Sequence, residues 1–141
     1  WTDREKRSRT KSFLGHWMTP IVVDGHLYGS SGRNAREAEL RCLELATGKV
    51  KWREPGLTRC SLLLAEGQFI CLGEDGMLTL FKANPDRFEK ISQVLLRDAG
   101  GEPLLDYPAW AAPILSHGLL FVRGEKYLVC LDLKAKNNPS K

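Results

Sequence analysis

The stretch WMTPIVVDGHLY, residues 17–28, returns twice along the chain. It superposes without gaps on WAAPILSHGLLF, residues 110–121, and more distantly on RCSLLLAEGQFI, residues 59–70, in which Arg59 replaces the tryptophan and Leu62 the proline. Gly25, Gly67 and Gly118 are therefore equivalent, at spacings of 42 and 51 residues. A period in the forties belongs either to sheet repeats or to helical repeats of similar length. Each copy is an apolar, β-branched or aromatic run, a two-residue turn ending in glycine (Asp24-Gly25, Glu66-Gly67, His117-Gly118) and a second such run. Glycine takes up the positive φ that a tight hairpin turn requires, so each copy reads as a β-hairpin. A 3.6-residue apolar period is sustained nowhere over three turns, which excludes the helical alternative.

A third strand aligns in each copy, at residues 39–45, 77–83 and 127–133. A fourth follows a turn, at residues 49–54 behind Thr47-Gly48 and at residues 88–96 behind Asn84-Pro85-Asp86, with residues 12–16 as its counterpart for the first unit. The expectation is an all-β chain of about twelve short strands in three four-stranded antiparallel units, each a blade of a β-propeller. The predicted division is a basic segment at 1–11, blades at 12–46, 47–83 and 84–133, and a tail at 134–141. Propellers close with about four to eight blades, so three leave open edges. The chain is expected to be the C-terminal three blades of a larger ring, or a piece that assembles with the remaining blades or with itself.

Composition agrees with a folded domain: 141 residues, 43% hydrophobic and 27% charged. No run approaches the roughly 18 apolar residues of a membrane helix. The net charge of +4 sits in the tails. Arg4, Lys6, Arg7, Arg9 and Lys11 outweigh Asp3 and Glu5, while Lys134, Lys136 and Lys141 end the chain, leaving residues 12–133 at −2. A duplex binder needs its cations on one folded face, so nucleic acid is not the expected partner. The first residue is Trp1, with no apolar signal core behind it, and the compartment is not read directly.

The segment CLELATGKVKW, residues 42–52, resembles the tryptophan-docking repeat of the PQQ-like (quinoprotein) β-propellers. Cys42 takes the small position, Glu44 the acidic one, Thr47-Gly48 the turn and Trp52 the docking ring. The second copy departs from the pattern, with Asn84-Pro85-Asp86 at the turn and no tryptophan after it. Residues 20–28 and 113–121 also resemble that family's P-x-x-x-x-G-x-[LV]-[YF] hairpin, so the resemblance covers about 12–133. It implies a parent ring of eight blades and an extracytoplasmic, periplasmic location. In the motif, Trp52 fills the wedge between adjacent blades and the Thr-Gly turn crosses from one blade to the next.

Two functions follow from the resemblance. The first is a non-catalytic propeller segment, a scaffold for protein or ligand binding in a bacterial envelope protein, similar to the propeller lipoprotein of outer-membrane assembly machinery. The second is the C-terminal part of a PQQ-dependent quinoprotein dehydrogenase whose catalytic residues lie upstream. Such enzymes are implied to need Ca²⁺ held by carboxylate and amide oxygens, a catalytic Asp, a Trp under the quinone and often a vicinal Cys pair. The segment shows no adjacent cysteines and only scattered carboxylates, so no catalytic residue, metal or cofactor is expected within it.

Cys42, Cys60, Cys71 and Cys130 have no zinc-type spacing and read as buried free thiols; only Cys60 and Cys71 approach a shared hairpin, off register if Ala65 pairs with Gln68. His26 and His117 read as solvated turn residues, whereas His16 directly precedes the repeated tryptophan. Trp17, Arg59 and Trp110 occupy one repeat position at the start of each unit's second strand, and so should share one end of the fold. The insertion at 31–38, with Arg33, Asn34 and Arg36, and the connection at 99–108 emerge there too. Trp17, Arg33, Arg59, Asp106, Tyr107 and Trp110 are the predicted binding rim. The competing reading is that both tryptophans pack between blades.

Overall fold

The computed structural model describes residues 1–4, 7 and 10–134. Of the two predicted basic tails, Lys6, Arg9, Lys136 and Lys141 lie outside the described residues. The chain is all-β. Sheet one contains β1 (Ile21–Val23), β2 (His26–Ser31), β3 (Glu39–Glu44) and β4 (Val50–Pro55) in that order. Sheet two contains β5 (Cys60–Ala65), β6 (Gln68–Gly73), β7 (Met77–Lys82) and β8 (Lys90–Leu95). Sheet three contains β9 (Ile114–Ser116), β10 (Leu119–Arg123) and β11 (Leu128–Asp132). Every pairing is antiparallel between neighbours in sequence.

The repeated hairpins form as expected, with one addition. Not only the glycines but also Asp24 (φ 45°), Glu66 (φ 50°) and His117 (φ 51°) are left-handed. Two consecutive left-handed residues make the primed turn whose twist matches that of the flanking strands.

Two expectations are corrected. The Thr47-Gly48 turn does not cross between blades: it joins β3 to β4 inside sheet one, where Cys42 pairs with Trp52. β8 likewise pairs with β7. The blades are therefore bounded by the sheets at 21–55, 60–95 and 114–132 rather than 12–46, 47–83 and 84–133, and the described part of the third has three strands. Residues 12–16 are also not a strand. Gly32 N–H donates to Leu14 O at 3.0 Å, but Leu14 N–H is taken by Ser31 Oγ at 2.9 Å. The buried Arg41 guanidinium meanwhile donates to the carbonyls of Lys11 (2.6 Å) and Ser12 (2.9 Å). The side chains thus take the backbone groups that a ladder would need.

Sheets one and two meet through a layer of rings. Register places Ile21, Tyr28, Cys42 and Trp52 on one face of sheet one. They pack on Phe69, Phe81 and Phe88, with Tyr28 and Phe69 centroids 4.8 Å apart and Phe69 and Phe81 stacked at 5.0 Å. Sheet two meets sheet three through Leu72, Leu78, Leu120 and Val122, capped by Leu105 and Ala109 from the connection before β9. Each fully buried side chain of this size stabilises the fold by about 1.5–3 kcal/mol.

The far face of sheet three differs. Ile114, Phe121 and Cys130 share the register of Ile21, Tyr28 and Cys42, yet Ile114 is 62% and Leu128 68% exposed. Cys42, Cys60 and Cys71 are buried free thiols, but Cys130 is exposed, which corrects its predicted burial. The reason is the absence of a further sheet over that face among the described residues. Cys60 pairs with Gly73 and Cys71 with Leu62, so those two thiols are off register for a disulfide. The Cys60 contact, followed by burial, pushes the Cys71 thiol well above its ordinary range, and burial raises that of Cys42.

Candidate functional site

Trp17, Arg59 and Trp110 lead into β1, β5 and β9, the first strand of each sheet rather than the second. Equivalent strand starts lie at one end of the stacked sheets, and the three side chains converge there. The Trp17 and Trp110 rings lie 6.0 Å apart at 37°. Tyr107 meets Trp110 edge-on at 6.0 Å. Tyr107 and Trp110 stay 57% and 45% exposed.

At the centre is a residue that the sequence reading did not single out. Glu74, after β6, is 2% exposed. Its carboxylate accepts from Arg59 Nη2 at 2.6 Å, from Arg59 Nε at 3.0 and 3.1 Å, and from Trp110 Nε1 at 3.3 Å. Such a charge-assisted fork is the form in which a buried carboxylate is tolerated. Glu74 holds the arginine's guanidinium above its ordinary range. Arg59 Nη1 reaches Arg33 O at 3.0 Å and His16 Nδ1 at 3.3 Å, so one guanidinium ties the insertion and the residue before Trp17 to sheet two.

The backbone holds the Trp110 loop in the same place. Ala109 N–H donates to Glu74 O at 3.0 Å and Ser61 Oγ to Trp110 O at 3.1 Å. Gly76, at φ +86°, lets the loop close, because a Cβ there would stand 1.7 Å from Leu105 O. Between the two tryptophans and Ser61 lies a cavity of about 190 Å³. Trp17 Nε1 is buried without an acceptor among the described residues. Five of the six predicted rim residues thus come together, Arg33 through its carbonyl. Asp106 does not: its carboxylate turns to Lys126 (3.1 Å), whose ammonium holds it below the usual carboxylate range.

Of the predicted motif residues, Glu44 and Thr47 hydrogen-bond side chain to side chain, and Gly48 (φ +72°) is buried beneath the Trp1 ring. Trp52 lies 9% exposed against Tyr28 and Phe88. A larger cavity of about 380 Å³ lies beside Arg36, Arg41 and Arg53, but Glu37 and Glu39 offset two of these three charges and Arg41's donors are engaged.

No family model matches the chain, and no curated protein does. Among solved structures it is similar to a europium-containing methanol dehydrogenase, with a TM-score of 0.55 and 19% identity over 81% of this chain. The fold is that of propeller blades. The chain spans 22% of that enzyme's length.

Among the described residues no three His, Cys, Asp or Glu side chains converge to hold a metal ion. Glu74, the buried carboxylate of the rim, already has both oxygens bound to Arg59. Among these residues no helix is long and apolar enough to cross a membrane.

Proposed function

We propose that this chain is a run of consecutive PQQ-like propeller blades serving as a non-catalytic scaffold in an extracytoplasmic bacterial protein, with the Trp17, Arg59 and Trp110 end as its binding rim for a protein or ligand. The observation that carries the reading is the Arg59–Glu74 pair. The carboxylate is consumed in positioning, while the half-exposed Tyr107 and Trp110 rings face outward and the buried Trp17 N–H has no acceptor among the described residues, which suits recognition better than proton transfer. The second reading, a piece of a quinoprotein dehydrogenase with its catalytic residues elsewhere, draws on the likeness to a methanol dehydrogenase. Adding PQQ and Ca²⁺ to the full-length protein and following dye reduction with alcohols or sugars separates the two. The scaffold reading expects no turnover; turnover dependent on PQQ overturns it.

Under either reading the remaining blades cover sheet three. Ile114, Phe121, Leu128 and Cys130 repeat positions that sheet two buries on sheet one. The isolated 141-residue chain is therefore expected to self-associate in light scattering as its concentration rises, and Leu128→Lys to shift it towards monomer. A wild-type monomer persisting at high concentration contradicts this.

A further inference from the structure

The two sheet interfaces share one strand register but differ in their residues, most sharply at one position. In the first, Trp52 fills the outer part of the wedge. In the second, the register Leu63, Ile70, Leu80, Ser92 repeats Ile21, Tyr28, Cys42, Trp52 strand by strand. Both sheets carry the same register shift, after Cys42 in one and after Leu80 in the other. Ser92 therefore stands in the place of Trp52. Where the indole would lie there is a cavity of about 180 Å³, walled by Ile70, Leu80 and Val94 on sheet two and by Leu120, Leu131 and Leu133 on sheet three. The three leucines occupy the repeat positions of Phe69, Phe81 and Ala83, which belong to the cluster around Trp52.

The polar end of the wedge repeats as well. Trp52 Nε1 donates to Asn84 O at 2.9 Å. Asn84 follows Ala83, whose N–H donates to Gly67 O at 2.9 Å; Leu133 N–H donates to Gly118 O at 2.8 Å in the same way. Lys134 is thus the repeat counterpart of Asn84, whose carbonyl accepts from Trp52. Apolar cavities on the order of 150 Å³ take up a benzene-sized ring. This one is continuous with the buried Leu72, Leu78, Leu120 and Val122 interface, so a ring placed there extends an existing core.

We propose that the wedge between sheets two and three is a binding site for a flat two-ring aromatic molecule with one N–H donor, an indole, held in the pose that the Trp52 side chain takes one blade earlier. The site is separate from the rim and does not depend on the function proposed for it.

The probe is indole, titrated into the full chain and followed by saturation-transfer NMR and calorimetry. Saturable binding is expected. Ser92→Trp places the chain's own ring in the wedge, retains the β-sheet circular dichroism spectrum, and weakens indole binding by at least about tenfold. Val94→Gln puts an amide in the wall at a half-exposed position and weakens binding without supplying a ring, so it decides the matter if the tryptophan variant does not fold. Absence of saturable binding to the wild type overturns the proposal. So does binding that stays within about twofold of wild type in the folded variants, since a change under RT ln 2 is too small for a filled or polar site.

Discussion

Replacing Trp52 by alanine is expected to remove about 3–5 kcal/mol of folding free energy, the cost of truncating a buried tryptophan and leaving its cavity. The ring lies between sheets one and two, 9% exposed, with Tyr28 at 6.0 Å and Phe88 edge-on at 5.9 Å. Those neighbours are fixed in turn: Tyr28 packs on Phe69, and Phe88 on Phe81 at 5.2 Å. Collapse into the gap would require several rings to move together, so the larger part of the range applies. The variant also loses the bond from Nε1 to Asn84 O, leaving that carbonyl to find water. Urea unfolding read as a midpoint shift at constant slope measures it. Trp110→Ala, which removes a ring already 45% exposed, should cost less. A Trp52→Ala shift under about 1 kcal/mol, the scale of an ordinary point change, would mean that this ring is not what joins the two sheets.

The hairpins were legible because their signal is local: a left-handed turn admits few residues, and three copies of the same turn leave little room for another reading. The blade limits were not. Thr47-Gly48 reads the same whether the next strand pairs backward within a sheet or moves on to another, and only the Cys42 to Trp52 pairing decides it. Residues 12–16 stand where the repeat calls for a strand, but the Arg41 and Ser31 side chains that take their backbone groups come from far along the chain. Cys130 followed the repeat logic correctly in register and wrongly in burial, since burial depends on a neighbouring sheet and not on the strand itself. The rim was legible as a set of equivalent positions. Its centre was not, because Glu74 within Gly73-Glu74-Asp75-Gly76 reads as an ordinary polar turn. One signal was present: an arginine where the other copies carry tryptophan calls for a counter-charge nearby.

That counter-charge makes Arg59 an architectural residue as well as a member of the rim. Arg59→Ala is expected to cost about 3–5 kcal/mol, the penalty for breaking a buried pair from one side. The Glu74 side chain is 3% exposed and the Arg59 side chain 14%, so solvent does little to replace the lost guanidinium. What remains on the carboxylate is the single Trp110 Nε1 contact at 3.3 Å. Arg59→Lys keeps the charge but not the fork that spans both oxygens, and should fall between the alanine variant and the wild type. The decisive comparison adds Glu74→Gln. If the cost of Arg59→Ala comes from a stranded carboxylate, the double variant recovers much of the stability, and the double-mutant cycle returns a large coupling between the two positions. Losses that simply add, with no recovery, would place the cost in the other contacts of Arg59, those to Arg33 O and His16. Recovery would mean that the rim's aromatic rings are held in place by a charge pair that recognition itself does not use, leaving Trp17, Tyr107 and Trp110 free to meet a ligand.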